Sequence, residues 1–329
     1  MVSNTVIALD LGGTKLAGAL FGADGSVLQR VSRPLLKAAG PEVGALITGL
    51  AQTLAADAGG SVQGIGICVP GIYHAQAGTV WAPNIPGWND YPLLRELRTA
   101  FTGTGITIAV DSDRACSISG EIWRGAARGC RTAVFLAVGT GIGAGILVDG
   151  KILRGAQDIA GAIGWMALSQ PYHDVYAPCG DFEYHASGEG LARVAHELLA
   201  ADGSPRSLLR GLEAGQLTAR EVFAAYEAGD PVAEQVIGQA IVYWGQATAN
   251  IVSLFNPEKI LFGGGVFGPA RRFLEEIKRE AARWAQPISM RLVSIEASAL
   301  GNDAPLYGAA DLALHQSGSA VRDREGLTA

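Results

Sequence analysis

Positive charge, cysteine pairs and long apolar runs are all scarce in this sequence, and each shortage removes a class of function. Only 17% of the 329 residues are charged, the net charge is -6, and no Lys/Arg run stands out. That balance argues against nucleic acid as the main partner. The four cysteines (Cys68, Cys116, Cys130 and Cys179) are scattered without CxxC spacing, which fits a reducing cytoplasm better than a disulfide framework. No apolar run is long enough to span a bilayer, and Met1-Val-Ser-Asn-Thr5 holds no basic segment leading into a cleavable apolar stretch. The expectation is a soluble cytoplasmic protein with no membrane partner. Hydrophobic residues still make up 49% of the chain, so a well-buried globular protein long enough for two domains is expected.

Glycine is the opposite case, with 45 residues, and one Gly-rich hairpin pattern occurs twice. Val6-Ile-Ala-Leu-Asp-Leu-Gly-Gly-Thr-Lys-Leu-Ala-Gly-Ala-Leu-Phe21 ends in the turn Ala23-Asp24-Gly25. Ala133-Val-Phe-Leu-Ala-Val-Gly-Thr-Gly-Ile-Gly-Ala-Gly-Ile-Leu-Val148 ends in Asp149-Gly150. Each copy reads as a strand, a tight Gly/Thr turn, a small-residue strand, a Gly turn and a third strand. Such a turn gathers backbone N–H groups and a Thr hydroxyl into a concavity suited to phosphate oxygens. Two of them facing each other across a cleft would hold a triphosphate from both sides.

Between the hairpins, Pro41–Ala58 has helical periodicity, Val62–Val69 reads as a buried strand, and Pro92–Phe101 as a helix. Ile106–Val110 is a strand ending in Asp111-Ser-Asp113, with a helix after it to Ile122. Beyond the second hairpin, residues 187–250 are largely helical and Lys259–Phe262 is a strand stopping at Gly263-Gly-Gly265. A helix from about Pro269 to Trp284, a strand over Met290–Ile295 and a closing helix complete the reading. The boundary between domains is placed at 119/120, with no linker composition to mark it.

Five groups carry candidate chemistry. Asp10, at a strand end before Gly12, Gly13, Thr14 and Lys15, places a carboxylate beside a phosphate-sized hole and suits Mg²⁺ or its water shell; ordinary hairpin turn chemistry explains the same residues. In Gly139-Thr140-Gly141-Ile-Gly143-Ala-Gly145 the alternating glycines weaken a strand and make sense where a ligand or backbone approaches. The chain continues as strand and not helix, which disfavours a dinucleotide fingerprint. Gly263, Gly264 and Gly265 lie between strand and helix, where a nucleotide base or ribose fits, and a bland βα turn fits equally. Asp113, just past a strand, suits a carboxylate that accepts a hydroxyl proton during phosphoryl transfer. Its competing role is helix N-cap, which Asp111 and Ser112 fill as well. In Pro83-Asn84-Ile-Pro-Gly-Trp88, the Trp is a sugar platform or a loop anchor, and Asn84 is the better hydroxyl contact.

Together these segments resemble the ROK family of sugar kinases, within the sugar-kinase/actin/Hsp70 superfamily. Leu9–Lys15 and Val138–Gly145 resemble its two phosphate motifs, Ala82–Trp88 its sugar-side loop, and Asp111-Ser-Asp113 with Gly120-Glu121 its catalytic-aspartate stretch. Asn256–Val266 resembles its adenosine motif, and Leu300–Pro305 with Gly308-Ala-Ala its C-terminal signature. Six segments in one order run almost end to end. The resemblance implies an α/β, ribonuclease H-like fold of two βββαβα-type domains with a cleft, residues 1–119 and 120–304, the helix 305–329 returning to the first. It implies transfer from ATP, with Mg²⁺ near Asp10, to a hexose 6-hydroxyl, with Asp113 catalytic. Gly71, Asn84, Ser112, Asp113 and Glu183 would meet the sugar. It also permits a homodimer, through apolar helical faces in 219–255.

The departures concern specificity. Where the family has Ala-Gly-Glu-Ile-Gly-His, this chain has Ala160-Gly-Ala162-Ile-Gly-Trp165. The family's cysteine run shrinks to a single Cys179, which cannot make a tetrahedral thiolate site, so no zinc is expected. Ser112 replaces the family's usual Asn. Losing these polar groups should penalise glucose. A pocket with Asp113 and Glu183, joined by Asp111 or Asp181, would favour an amino sugar such as kanosamine. The competing readings are an ordinary glucokinase, another hexose kinase or a silent sugar-binding protein. A sugar-sensing repressor is disfavoured because the first strand starts near residue 5.

Overall fold

The computed structural model describes residues 5–59, 62–201, 203, 205–212 and 215–325, with side chains as far as His315. Its first sheet is built by β1 (Thr5–Leu11), β2 (Lys15–Gly22), β3 (Val27–Pro34), β4 (Val62–Val69) and β7 (Thr107–Ser112); β1 and β4 are buried almost throughout, while β3, at the sheet edge, has no buried residue. The order is β3-β2-β1-β4-β7, antiparallel across the meander and parallel from β1 to β4 to β7. A small hairpin, β5 (Ile72–His74) with β6 (Thr79–Trp81), follows β4. One face of the sheet buries Ile7, Leu9, Ile65 and Ile67 against α1 (Pro41–Asp57) and α2 (Leu93–Ala100).

The other face is covered by α3 (Asp113–Arg124) and α10 (Ala304–Glu325). That packing is close. A Cβ at Gly66 of β4 would meet the Ala309 carbonyl oxygen at 1.8 Å, and one at Gly308 would meet the Cys116 carbonyl at 1.8 Å. Residues 326–329 of the expected closing helix lie outside the described residues.

A second sheet repeats the design. β8 (Ala133–Val138), β9 (Ile142–Val148), β10 (Lys151–Ile152), β11 (Lys259–Gly263) and β12 (Ser294–Ala297) run in the order β10-β9-β8-β11-β12. Again the first pair is antiparallel, and β8, β11 and β12 are parallel. Its helices are α4 (Asp181–Ala186), α5 (Gly188–Ala200), α6 (Ala219–Glu227), α7 (Pro231–Phe255), α8 (Leu274–Trp284) and α9 (Pro287–Leu292). Trp244 of α7 is fully buried at the centre of this core. The duplicated α/β architecture expected from the paired hairpins is present.

Two compact units result: the described residues to Gly129 with Ile152–Ala160 and those from Asp303 onward, and Cys130–Lys151 with Gly161–Asn302. The division expected at 119/120 would cut α3, whose Gly120 lies against the Ala304 carbonyl of α10. Ile152–Ala160 belongs to the first unit although it follows the second hairpin. The strand expected over Met290–Ile295 is corrected as well. Pro287 at the first helical position and the Gln286 side chain, accepting from Ser289 N–H at 2.8 Å, start α9, and strand begins only at Ser294. The helix expected from Pro269 starts as a 3-10 turn at Ala270–Phe273 before α8. Within 187–250, positions 202, 204, 213 and 214 lie outside the described residues. Among the described residues no helix is long and apolar enough to cross a membrane.

Candidate active site

In the first unit, parallel register aligns Asp10 of β1 with Cys68 of β4, and Cys68 with Asp111 of β7. Three strand ends therefore finish in a row, with the β1–β2 turn beside them. That turn is closed by Gly12 N–H donating to the Lys15 carbonyl at 2.9 Å. Its tip, Gly13, Thr14 and Lys15, is exposed. A Cβ added at Gly13 would meet only Asn84 Nδ2, at 3.3 Å, so the hairpin tip and the Pro83–Trp88 loop come together.

Asp10 is partly buried, and burial pushes its carboxyl up to about 6; Asp113 and Asp303 push the same way, while a bond from the Cys68 thiol and the charge of Lys15 oppose them. A carboxylate held this high, with two more acids in range, is short of positive charge. Asp10 alone offers a carboxylate oxygen that suits a hard divalent cation held through water or phosphate.

The competition for the cap of α3 is decided by Ser112. Its Oγ accepts from Ala115 N–H at 3.3 Å, which makes it the N-cap. Asp113 is thereby left at the first helical position, its Oδ1 accepting from Arg114 N–H at 2.8 Å. Burial raises the Asp113 carboxyl above the ordinary carboxylate range, against the nearby Arg114 charge. The Arg114 guanidinium itself is turned to carbonyls, those of Ile159 (3.2 Å), Ala160 (3.3 Å) and Gly71 (3.1 Å). Gly71 has a positive φ of 82°, and a Cβ there would meet the Trp81 carbonyl at 2.2 Å, so glycine is needed on backbone grounds alone. Trp88 is a loop anchor and not an open platform: it is fully buried, donates from Nε1 to the Gly40 carbonyl at 2.9 Å, and stacks on Tyr91 at 4.4 Å.

Asp111 was expected to add negative charge to the pocket. Instead its Oδ1 takes an ion pair from Arg154 Nη1 at 2.5 Å and a bond from Ser112 N–H at 2.8 Å. Sequence reasoning missed Arg154 and Arg114. Arg154 is 43 residues from its partner, and no local pattern announces such a pair.

In the second unit, the β8–β9 turn is closed by Gly139 N–H donating to the Gly141 carbonyl at 2.9 Å. Thr140 is exposed, and Gly141 and Gly143 are partly exposed. The start of α5 is docked on this turn, with Gly188 N–H on the Gly139 carbonyl at 2.7 Å and Glu189 N–H on the Thr140 carbonyl at 3.4 Å. Glu183 of α4 reaches the same turn and accepts from Ile142 N–H at 2.6 Å. A Cβ at Gly141 would lie 2.7 Å from Glu183 Oε2, and one at Gly164 2.9 Å from it. Burial raises the Glu183 carboxyl.

The three glycines after β11 divide. Gly263 makes room for the Phe135 ring (2.3 Å from a Cβ), and Gly264, at φ 86°, for the Val138 carbonyl (2.4 Å); a Cβ at Gly265 would meet nothing. Packing explains the first two, and only Gly265 is left open for a ligand. Asp181, the other carboxylate expected in the pocket, is buried and spent: Oδ2 accepts from Leu168 and Ser169 N–H at 2.7 Å each, and Oδ1 from the Ser169 hydroxyl at 2.8 Å. Among the described residues no group of three or more His, Cys, Asp or Glu is arranged to hold a metal ion.

The sequence profile of the ROK family matches residues 6–316. The glucokinase of Halalkalibacterium halodurans is 33% identical over 332 residues, covering 97% of this chain and 98% of that protein. Among solved structures, a ROK hexokinase from Thermus thermophilus superposes with a TM-score of 0.77 at 31% identity, covering 96% of this chain and 99% of its own. A ROK family glucokinase from Streptomyces griseus, in complex with glucose and AMPPNP, gives a TM-score of 0.75 at 27% identity, with 94% and 99% covered.

Proposed function

The chain belongs to the ROK family, and from that premise we propose that it is a sugar kinase transferring the γ-phosphoryl group of ATP to the 6-hydroxyl of a hexose. The observation that carries the reading is Asp113, relieved of capping by Ser112 and held with a raised pKa at the end of β7. A carboxylate whose proton affinity is raised is a stronger base for the sugar hydroxyl proton as the new O–P bond forms. The β–γ bridging bond breaks as that bond forms, and ADP leaves. In the first unit Gly12, Gly13, Thr14 and Lys15 bind phosphate oxygens; in the second Thr140, Gly141 and Gly143 do, with Gly265 beside the nucleoside. Mg²⁺, when bound with ATP, neutralises phosphate charge, and Asp10 is the residue that would hold it through water or phosphate.

Asn84, Gly71, Ser112 and Glu183 read the sugar in this account, Ser112 through its hydroxyl proton because its oxygen is already capping. Ala162 and Trp165 offer neither a carboxylate nor an imidazole, which favours an acceptor other than glucose. An amino sugar such as kanosamine is the specific form of that reading. With Asp111 paired to Arg154 and Asp181 saturated, it rests on Asp113 and Glu183. Glucose is the competing acceptor, supported by the glucokinase relative.

The test is ADP release with ATP and Mg²⁺ across kanosamine, glucosamine, glucose, mannose, allose and fructose, with the product's phosphate position read by NMR. A preference for an amino sugar over glucose, with a 6-phosphate product, is expected. Efficient glucose turnover would make the enzyme a glucokinase, and silence across the panel with ATP bound would sink the kinase reading for hexoses.

A further inference from the structure

Glu183 sits on a helix that cannot hold itself. α4 spans six residues, Asp181–Ala186, far below the length at which an isolated helix is stable in water. Two side chains one turn apart secure it. Asp181 binds the backbone of Leu168 and Ser169 and the Ser169 hydroxyl. His185 points Nε2 at the Tyr176 hydroxyl (3.2 Å) and at Asp181 Oδ1 (3.4 Å). Its ring stacks on Tyr243 of α7 at 4.6 Å and 22°, and meets Tyr176 and Tyr184 edge-on at 5.4 and 5.1 Å.

The imidazole state follows from these contacts. Nδ1 is buried with no hydrogen-bond partner among the described residues. An orphaned bare nitrogen costs less than an orphaned N–H, so the proton belongs on Nε2. Burial also lowers the His185 pKa, against the charges of Asp181 and Glu197, which favours the neutral ring.

Residues four apart share a helix face, and a residue two positions from each lies round the other side. Asp181 and His185 therefore grip one side of α4, and Glu183 leaves from the opposite side toward Ile142 N–H. A purely apolar face would bury α4 without fixing its rotation. Directional bonds to Leu168 and Ser169, to Tyr176 and from Trp244 Nε1 of α7 to the Ala186 carbonyl (3.0 Å) fix it.

We propose that Asp181 and His185, backed by Tyr176 and Tyr243, are positioning residues for Glu183: they lock the rotation of α4 so that the Glu183 carboxylate meets the sugar in one orientation. This rests on the reading of Glu183 as a sugar contact. The experiment compares His185→Phe, which keeps the ring stack and loses Nε2, with His185→Gln, which keeps a donor, and with Glu183→Gln, in the full chain. Acceptor KM, ATP KM, kcat and Tm are measured for each. Expected is a rise of about tenfold in acceptor KM for His185→Phe at unchanged ATP KM, largely recovered in His185→Gln. Tyr243→Phe, a milder change that keeps the stack and loses the hydroxyl near Ser169 and Asp181, should raise acceptor KM by about threefold. Unchanged acceptor KM in both aromatic variants, while Glu183→Gln raises it, would overturn the positioning role alone. Equal rises in both KM values with a falling Tm would also overturn it, as a purely structural effect. If Glu183→Gln itself leaves acceptor KM unchanged, the reading beneath the proposal fails instead.

Discussion

The two Gly/Thr hairpins have the same strand order around them and a carboxylate beside each, but the carboxylate arrives by a different route. In the first, Asp10 belongs to the hairpin's own strand, and the turn above it is lightly crowded: a Cβ at Gly12 would meet only the Lys15 carbonyl at 3.4 Å, and one at Gly13 only Asn84 Nδ2 at 3.3 Å. In the second, Glu183 comes from α4, 41 residues away from the amide it binds, and fills the space under Gly141. Two similar Gly/Thr turns thus serve different ends. The first hairpin's glycines leave room for something outside the protein, and Gly141 leaves room for a side chain of its own unit. The two sheets share one strand order while their acids differ in origin; in the function proposed above, Asp10 serves phosphate and cation and Glu183 serves the acceptor.

Asp10→Asn is expected to break the first half of this comparison with the largest effect. It should lower kcat/KM for MgATP by roughly 10²- to 10³-fold, because a preorganised charge at the phosphates is lost. An initial-rate series in ATP and Mg²⁺ at saturating sugar checks it, and a loss confined to acceptor KM would reassign Asp10 to the sugar.

The same residue shapes stability in the nucleotide-free protein. Its folded pKa is about 6 against an ordinary 3.8, so the folded chain binds more protons than the unfolded one between those values. Stability should therefore fall as pH rises from about 4 to about 6, by about 3 kcal/mol, and stay lost above that. Asp10→Asn removes this component. Urea unfolding of both proteins at either end of that window shows it, and parallel curves would contradict it.

Gly141→Ala sharpens the second half. A Cβ 2.7 Å from Glu183 Oε2 must displace the carboxylate, costing roughly 1–3 kcal/mol of stability and raising acceptor KM. Gly13→Ala is its control. It meets only the end of Asn84 at 3.3 Å, so a stability change within about 0.5 kcal/mol is expected by thermal melt. Equal costs at the two glycines would erase the distinction between an open and a filled hairpin.

What the sequence revealed and hid follows from how local each feature is. The hairpins, the buried strand Val62–Val69 and the helix after Asp113 are written in adjacent residues, as alternation, turn glycines and periodicity. Asp113 was legible as a strand-end carboxylate. Its freedom from capping was not, because Asp111, Ser112 and Asp113 are interchangeable caps by composition and only the fold chooses Ser112. Met290–Ile295 is rich in apolar residues and reads as a strand, and the Pro287 and Gln286 start signals outweigh it. Charge was hardest to read. Asp111 and Asp181 look free in the sequence, yet Arg154 from a distant segment neutralises one and a loop's amides absorb the other.

The most direct test of the account is sugar-dependent ADP release by Asp113→Asn, alongside sugar and ATP binding by calorimetry. The account predicts a kcat lower by roughly 10²- to 10⁴-fold with both ligands still bound and the fold intact. A variant that turns over at the wild-type rate would contradict the assignment of Asp113 as the base.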